Sequence, residues 1–315
     1  MMNQILSCDW GTSSFRLRLL DFPTGNIVAE TRSGMGIAIA YQQWLQSGFG
    51  EQRRIEFFQK ILRTEIEKLP NLLAPGIPLI ISGMASSSLG IQELPYGKIP
   101  FSLRKDKLLM QQITSSQDFL HDILLVSGLA SDKDAMRGEE TILLGCDLNE
   151  NEDQLFIFPG THSKHVSVSG EILVDLDTFM TGELFDLLAT KSILHSSVVK
   201  DESDQFYPFF CNGVRDGAKG NLLNKIFHIR TNQLFRKLSP AENYHYLSGL
   251  LIGGELQQVN GKTRTIHLVC AQALMNHYRL ALETLSTATE LRFTDADKAL
   301  LAGHCKLAAS LIGQK

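Results

Sequence analysis

The chain has 315 residues, more than the roughly 100 to 200 of a usual single domain, so two domains of similar size are expected, each with its own core. Lys and Arg total 30 against 34 Asp and Glu, a net charge of -4 with no long run of one sign, which argues against a nucleic-acid or anionic-membrane partner. No apolar run approaches the ~18 residues of a membrane helix, polar breaks at Asp9, Arg16, Arg18 and Asp21 argue against a leader, and five scattered cysteines (Cys8, Cys146, Cys211, Cys270, Cys305) have no zinc or disulfide spacing, so a reduced, cytoplasmic protein is expected.

In the first half, an apolar strand around Ile5-Leu6-Ser7-Cys8 leads into a tight turn. The alternation of Phe15-Arg16-Leu17-Arg18-Leu19 then predicts a half-buried strand, followed by a third from Asn26 to Thr31. Ile55, Phe58, Ile61, Leu62, Ile66 and Leu69 recur at helical spacing from about Gln52 to Leu69, with Pro70 and Pro75 as the stop. Strands at Pro78-Leu79-Ile80-Ile81-Ser82 and Ile123-Leu124-Leu125-Val126 each run into a glycine, with a polar, partly helical segment between them. A helix over Arg137 to Leu148 closes the unit.

The second half repeats the plan. Leu155-Phe156-Ile157-Phe158, Lys164 to Val168 and Ile172 to Leu176 read as three hairpin-linked strands. Helices at about Gly182 to Leu188 and Asn243 to Val259, a strand at Thr265 to Cys270, a helix from Leu274 to Leu285, a strand at Glu290 to Phe293 and a helix from Asp295 to Leu311 follow. The expected fold is α/β: two duplicated ribonuclease H-like domains of the actin/hexokinase type, 1–150 and 151–315, with mixed five-stranded sheets flanked by helices and a cleft between them.

The two Gly-Thr turns occupy equivalent places in this plan. Asp9-Trp10-Gly11-Thr12-Ser13 and Pro159-Gly160-Thr161-His162-Ser163 each follow a first strand. A phosphate needs several converging backbone N–H groups, which a tight glycine turn presents while letting the chain come close. Gly11 and Gly160 provide that access, and Thr12, Ser13, Thr161 and Ser163 add hydroxyl donors. Asp9 is suited to holding Mg²⁺ through water, because this hard cation takes oxygen ligands. Either turn alone is equally well read as an ordinary hairpin; their matched placement favours phosphate.

Phosphoryl transfer to an alcohol also needs a carboxylate to accept the hydroxyl proton. The start of the helix after the last strand of the first domain holds Arg137-Gly138-Glu139-Glu140-Thr141. Neighbouring helical residues point about 100° apart, so one of the two acids faces the site. Glu139 is favoured as the base, Glu140 is second, and Asp134 is a competitor. The alternative is that both acids only complement the helix dipole.

Met136-Arg137-Gly138-Glu139-Glu140-Thr141, Pro159-Gly160-Thr161-His162-Ser163-Lys164, Thr181-Gly182-Glu183-Leu184 and Leu247-Ser248-Gly249-Leu250-Leu251-Ile252-Gly253 resemble the signature segments of the 2-dehydro-3-deoxygalactonokinase family. Asp9-Trp10-Gly11 and Ser82-Gly83-Met84 also fit, so the resemblance spans essentially the whole chain. It implies phosphorylation of the 6-hydroxyl of 2-dehydro-3-deoxy-D-galactonate, or of a related 2-keto-3-deoxy sugar acid, using ATP and Mg²⁺. A possible homodimer is left open.

A sugar-acid pocket needs a cation for the carboxylate. Arg137 is the first choice, with Ser86, Ser87 and Ser88 as polar neighbours and Arg16 as the alternative. Lys164, and with it His162, is placed at the nucleotide phosphates, although an exposed strand lysine is an equal reading. His162 and His165 straddle a turn, which disfavours a metal pair. Gly253, with Gly249 and Gly254, is placed near the nucleoside, against the reading that these glycines serve helix packing. Where the family usually has a Gly-Ser turn the chain has Cys270-Ala271-Gln272-Ala273, which leaves nucleotide preference open. An actin-like or chaperone-like ATPase switch acting on a protein partner is the competing class, since fold alone does not exclude it.

Overall fold

The computed structural model describes residues 3–69, 74–104, 106–201, 203–259, 265–286 and 290–312, so the expected stop at Pro70 lies outside the described residues. The chain forms two compact units, 1–147 with 297–315, and 148–296. Residues 297–315, grouped with the second half on sequence, therefore pack with the first unit.

The sheet of the first unit runs in the order Ile27–Ser33, Phe15–Asp21, Gln4–Trp10, Leu79–Gly83, Ile123–Val126, Met110–Ile113. The first three strands are antiparallel neighbours. Leu79–Gly83 and Ile123–Val126 join in parallel, and Met110–Ile113 adds antiparallel at the edge. Strand side chains alternate between faces, which separates two chemistries. Leu6, Cys8, Trp10, Phe15, Leu17 and Leu19 face the core, packed with Ile37, Ala40, Phe58 and Leu62 of the helices Ile37–Gln46 and Arg54–Ile66. The opposite face carries Ser7, Asp9, Arg16, Arg18 and Ser82, in register across three strands. Asp297 and His304, both on the C-terminal helix Ala296–Ile312, bond to this polar face.

The second unit repeats this arrangement. Its strands run Glu290–Asp295, Thr265–Cys270, Asp153–Phe158, Ser163–Ser169, Ile172–Phe179. Antiparallel pairs join the last three, and parallel pairs add the other two. With the Met110–Ile113 edge set aside, the five strands common to both sheets follow the same order, 3-2-1-4-5, as an internal duplication requires.

Two features differ from the sequence expectation. The segment between Gly83 and Ile123 contains no α-helix among its described residues. It has one 3₁₀ turn, Met84–Ser86, short strands, and the Met110–Ile113 edge that makes the first sheet six-stranded. Pro95, Gly97 and Pro100 punctuate this stretch against helix. The helices Ile37–Gln46, Tyr207–Ala218 and Leu222–Leu234 were not expected. Tyr207–Ala218 contains Gly213 and Gly217, which weaken its intrinsic propensity by about 1 kcal/mol each.

Packing explains those glycines. A Cβ on Gly213 or Gly217 would lie 2.2 or 2.1 Å from the carbonyls of Tyr246 or Leu250. Reciprocally, one on Gly249 or Gly253 would meet the Phe210 or Val214 carbonyl at 2.0 or 2.2 Å. The helices Tyr207–Ala218 and Pro240–Glu255 thus cross backbone to backbone. The latter begins at Pro240 because Ser239 and Glu242 form a reciprocal capping box.

Candidate active site

In the first unit, the loop after Asp9 closes with the Gly11 N–H donating to the Ser14 carbonyl at 2.9 Å. The Gly11 and Thr12 carbonyls accept from the Ile37 and Ala38 N–H groups at 3.0 and 3.1 Å, which docks the start of helix Ile37–Gln46 against the loop. Gly36 permits the approach, since a Cβ there would sit 2.3 Å from the Thr12 carbonyl. Thr12 and Ser13 are left exposed.

Asp9 lies beside Arg16 on one neighbouring strand and Ser82 on the other. Burial raises its carboxyl above the ordinary value; Arg16 and Arg18 pull it back, and Asp297 pushes it up. Gly83 at φ 87° and Gly138 at φ 116° need the left-handed freedom of glycine. A Cβ on Gly83 would lie 2.8 Å from the Trp10 carbonyl and 3.5 Å from Asp9 Oδ1; one on Gly138 would lie 3.5 Å from Gly83 Cα. The Asp9 strand end, the Gly83 turn and the start of helix Glu139–Gly145 therefore meet in one corner.

Arg137 enters this corner through neutral partners. Its guanidinium donates to the Ser86 carbonyl at 2.7 Å, Ser86 Oγ at 2.5 Å, and the Leu94 carbonyl and Tyr96 hydroxyl at 3.3 Å each, and stacks 4.1 Å over the Tyr96 ring. Among the described residues no carboxylate forms an ion pair with it, so its charge is uncompensated. Tyr96 and Leu94 escaped the sequence reading because short loop residues carry no periodicity. Ser86 donates its hydroxyl to the Val126 carbonyl at 2.6 Å and Ser87 to the Met84 carbonyl at 2.7 Å. Both are buried, while Ser88 is exposed and its carbonyl accepts from Arg54. Ser86 and Ser87 thus shape the turn that seats Arg137, whereas the sequence reading had placed their hydroxyls on substrate. Arg16 is likewise committed, bonded to both oxygens of Asp297.

The two adjacent acids have different environments. Glu140 is buried, with one oxygen accepting from the Gly138 N–H at 2.7 Å and the other from the Thr141 hydroxyl at 3.0 Å. Burial pushes its carboxyl up to about 7, the Glu139 charge adds to this, and the N–H and hydroxyl donors oppose it. Glu139 is partly exposed and accepts from the Arg137 N–H at 3.1 Å. The value of Glu140 suits a base, but its oxygens are spent inside the fold; accessibility favours Glu139. Asp134 instead holds the 131–135 turn, accepting from the Ala135 N–H at 2.8 Å.

A raised carboxyl makes the folded state bind more protons than the unfolded one between the ordinary value near 4.3 and about 7. The Glu140 contribution to stability is full below that window and is lost as pH rises through about 7, an effect on the order of 3 kcal/mol. Glu140→Gln is expected to flatten this fall in chemical denaturation at pH 5 and pH 8. An unchanged slope assigns it to another group.

In the second unit, the loop is built with the same device. Helix Thr181–Thr190 starts beneath it, with the Glu183 N–H donating to the Thr161 carbonyl at 3.0 Å and a Gly182 Cβ falling 2.5 Å from the Gly160 carbonyl. A Cβ on Gly160 itself would meet nothing within 4 Å, and Thr161 is exposed. Ser163 is buried rather than open to ligand. Its Oγ bonds Tyr278 Oη at 2.9 Å, and Tyr278 donates to Glu255 at 2.7 Å. Thr181 donates to the same Glu255 oxygen, and His165 Nε2 meets the other at 3.0 Å.

His162 is exposed and paired with Glu183. The two histidines therefore have separate carboxylate partners. Lys164, for which an exposed strand position was an equal reading, is buried to 7% exposure and forms no ion pair among the described residues. An unneutralised buried cation is expensive, so an anionic ligand is its natural complement.

A cavity of about 190 Å³ opens from Gly160 and runs between Phe185, Tyr244, Leu251, Leu274 and His277, an apolar and aromatic lining suited to a heteroaromatic base. Gly253 belongs to the helix crossing described above, so its missing side chain serves packing. Ala271 has an ordinary φ of −70° as N-cap of helix Gln272–Leu285, which explains why no glycine is required there. None of Phe185, Tyr244 and His277 carried a motif; only the tertiary fold gathers them.

Among the described residues there is no cluster of three or more metal-ligating side chains. A single half-buried carboxylate at Asp9 fits Mg²⁺, which keeps most of its waters and borrows ligands from phosphates. No helix among the described residues is long and apolar enough to cross a membrane.

The family model for 2-keto-3-deoxy-galactonokinase matches residues 9–307. The chain is 35% identical over 309 residues to a candidate 2-dehydro-3-deoxygalactonokinase of Rhizobium meliloti (strain 1021), covering 94% of this chain and 93% of that protein. It is 30% identical over 217 residues to the 2-dehydro-3-deoxygalactonokinase of Escherichia coli (strain K12), covering 66% and 71%. A solved structure of a candidate 2-dehydro-3-deoxygalactonokinase from Sinorhizobium meliloti superposes with a TM-score of 0.79 at 31% identity, covering 98% of this chain and 99% of that one. With a family match from 9 to 307 and likeness in sequence and structure along nearly its full length, this chain belongs to the 2-keto-3-deoxy-galactonokinase family.

Proposed function

We propose that this kinase transfers the γ-phosphoryl group of ATP to the 6-hydroxyl of 2-dehydro-3-deoxy-D-galactonate or a closely related 2-keto-3-deoxy sugar acid. The observation that carries the substrate reading is Arg137, an uncompensated guanidinium rigidly seated by Ser86, Leu94 and Tyr96, two residues before Glu139. A fixed cation of this kind selects a carboxylate, while Glu139 takes the proton from the attacking hydroxyl as the oxygen bonds to phosphorus and the ADP oxygen departs.

Thr12, Ser13 and Thr161 hold phosphate oxygens through backbone and hydroxyl donors, Gly11 and Gly160 let the phosphates come close to the chain, and Lys164 supplies a positive charge. The cavity beginning at Gly160 receives the nucleoside. Asp9 would hold Mg²⁺ through bound water, and the ion supplies neutralisation of phosphate charge.

A coupled ATP-consumption assay over a panel of 2-keto-3-deoxy sugar acids, with and without Mg²⁺, tests the reading. Turnover is expected to require both Mg²⁺ and a sugar acid. ATP hydrolysis indifferent to every sugar acid would instead identify a nucleotide switch.

A further inference from the structure

Asp9 has a cationic neighbour that ought to neutralise it. Residues directly opposite in an antiparallel pair have Cβ atoms about 4.5–5.5 Å apart, and Arg16 stands directly opposite Asp9. Arg18 follows on the same face. Yet both guanidinium groups turn to Asp297: Arg16 Nη1 reaches Oδ1 and Oδ2, the latter at 2.6 Å, and Arg18 Nη2 reaches Oδ2 at 2.9 Å. Arg18 also donates to Glu30 at 2.5 Å. Arg16, Arg18 and Arg32 thereby share Asp297 and Glu30, and no guanidinium bonds Asp9 directly among the described residues.

The position of Asp297 is over-determined. Its helix is fastened to the same sheet face by His304, whose Nδ1 meets Ser7 Oγ at 2.7 Å and Nε2 meets Ser82 Oγ at 3.1 Å. It also packs closely on helix Glu139–Gly145, because a Cβ on Gly303 would fall 2.1 Å from the Thr141 carbonyl and one on Gly145 1.8 Å from that of Ala299. Burial lowers His304 to about 3, so this clasp adds no further cation to the face.

We infer that Asp297 is a positioning residue that holds Arg16 and Arg18 off Asp9, keeping the Asp9 carboxylate available to the hydrated divalent ion that accompanies the nucleotide. The inference rests on the reading of Asp9 as the carboxylate for that ion. Neutralising Asp297 frees Arg16 to close on Asp9, where an opposite charge competes directly with a cation.

The test is Mn²⁺ binding to the full chain, followed by electron paramagnetic resonance in the presence of a non-hydrolysable ATP analogue, so that turnover plays no part. Asp297→Asn is expected to weaken Mn²⁺ binding about tenfold. Adding Arg16→Gln is expected to restore it to within about twofold, a coupling that a merely structural role does not produce. Asp297→Glu, which keeps the acceptor, should bind as the parent does. Wild-type affinity in Asp297→Asn, or a loss that Arg16→Gln fails to recover, overturns the inference. Asp9→Asn separates the two claims: if it leaves Mn²⁺ binding unchanged, the reading of Asp9 itself fails and the inference goes with it; if it weakens binding while Asp297→Asn does not, only the inference fails.

Discussion

Glu139→Gln is expected to lower phosphoryl transfer by about 10²- to 10⁴-fold while leaving ATP affinity nearly unchanged, since general-base assistance is typically of that size. Gln keeps the shape and one oxygen acceptor for the Arg137 N–H, so the helix start should survive. The effect therefore belongs to kcat, not to folding or binding. Glu140→Gln is the necessary companion. Its carboxyl is enclosed by Gly138 and Thr141, so that variant should keep most of its turnover despite a pKa that looks catalytic. If the two variants exchange behaviours, the base is Glu140 and the helix start must open to expose it. Single-turnover measurements with saturating ATP distinguish these outcomes.

The second large effect is expected at Arg137. Truncation to Ala removes the charge that would meet the substrate carboxylate, and losing one partner of a buried, hydrogen-bonded charge pair costs about 2–5 kcal/mol, or roughly 30- to several-thousand-fold in kcat/KM. Arg137→Lys keeps the charge but loses the planar fork that reaches Ser86, Leu94 and Tyr96 together, so an intermediate loss is expected. Because Arg137 also organises the 86–96 loop, the decisive comparison uses two substrates: the sugar acid and its carboxamide. Wild-type enzyme should prefer the acid strongly and Arg137→Ala should lose that preference. A variant that weakens both equally assigns Arg137 to loop structure alone.

The internal repeat gives these residues their setting. Each Gly-Thr loop rests on a helix N-terminus through backbone N–H···O bonds and one glycine: Gly36, Ile37 and Ala38 below Gly11 and Thr12, Gly182 and Glu183 below Thr161. Buttressing of this kind holds loop N–H groups in place before ligand arrives, which lowers the ordering cost of binding. The Gly182 contact was present in the sequence as part of a signature segment, but its counterpart at Gly36 was not seen, because helix Ile37–Gln46 itself went unrecognised.

Local pattern was sufficient for much of this protein. Alternation located Phe15–Asp21, apolar runs located Gln4–Trp10, Leu79–Gly83, Ile123–Val126 and Thr265–Cys270, and matched Gly-Thr turns located the two hairpin loops. Those features depend on neighbours within a few residues, so sequence alone determined them. Only tertiary structure decided which polar groups remain open to ligand. Ser86, Ser87, Ser163 and Glu140 carry the right chemistry, yet Ser86 and Ser163 spend their hydroxyls on partners 40 and 115 residues away, Ser87 bonds within its own turn, and Glu140 bonds the start of its own helix. It also decided that Gly253 seats a helix and that Lys164 is buried. The same holds for the C-terminal helix, which brings Asp297 to Arg16 across 281 positions. Long-range pairing leaves no periodic trace in a sequence, because the two partners meet only after the sheet between them has formed.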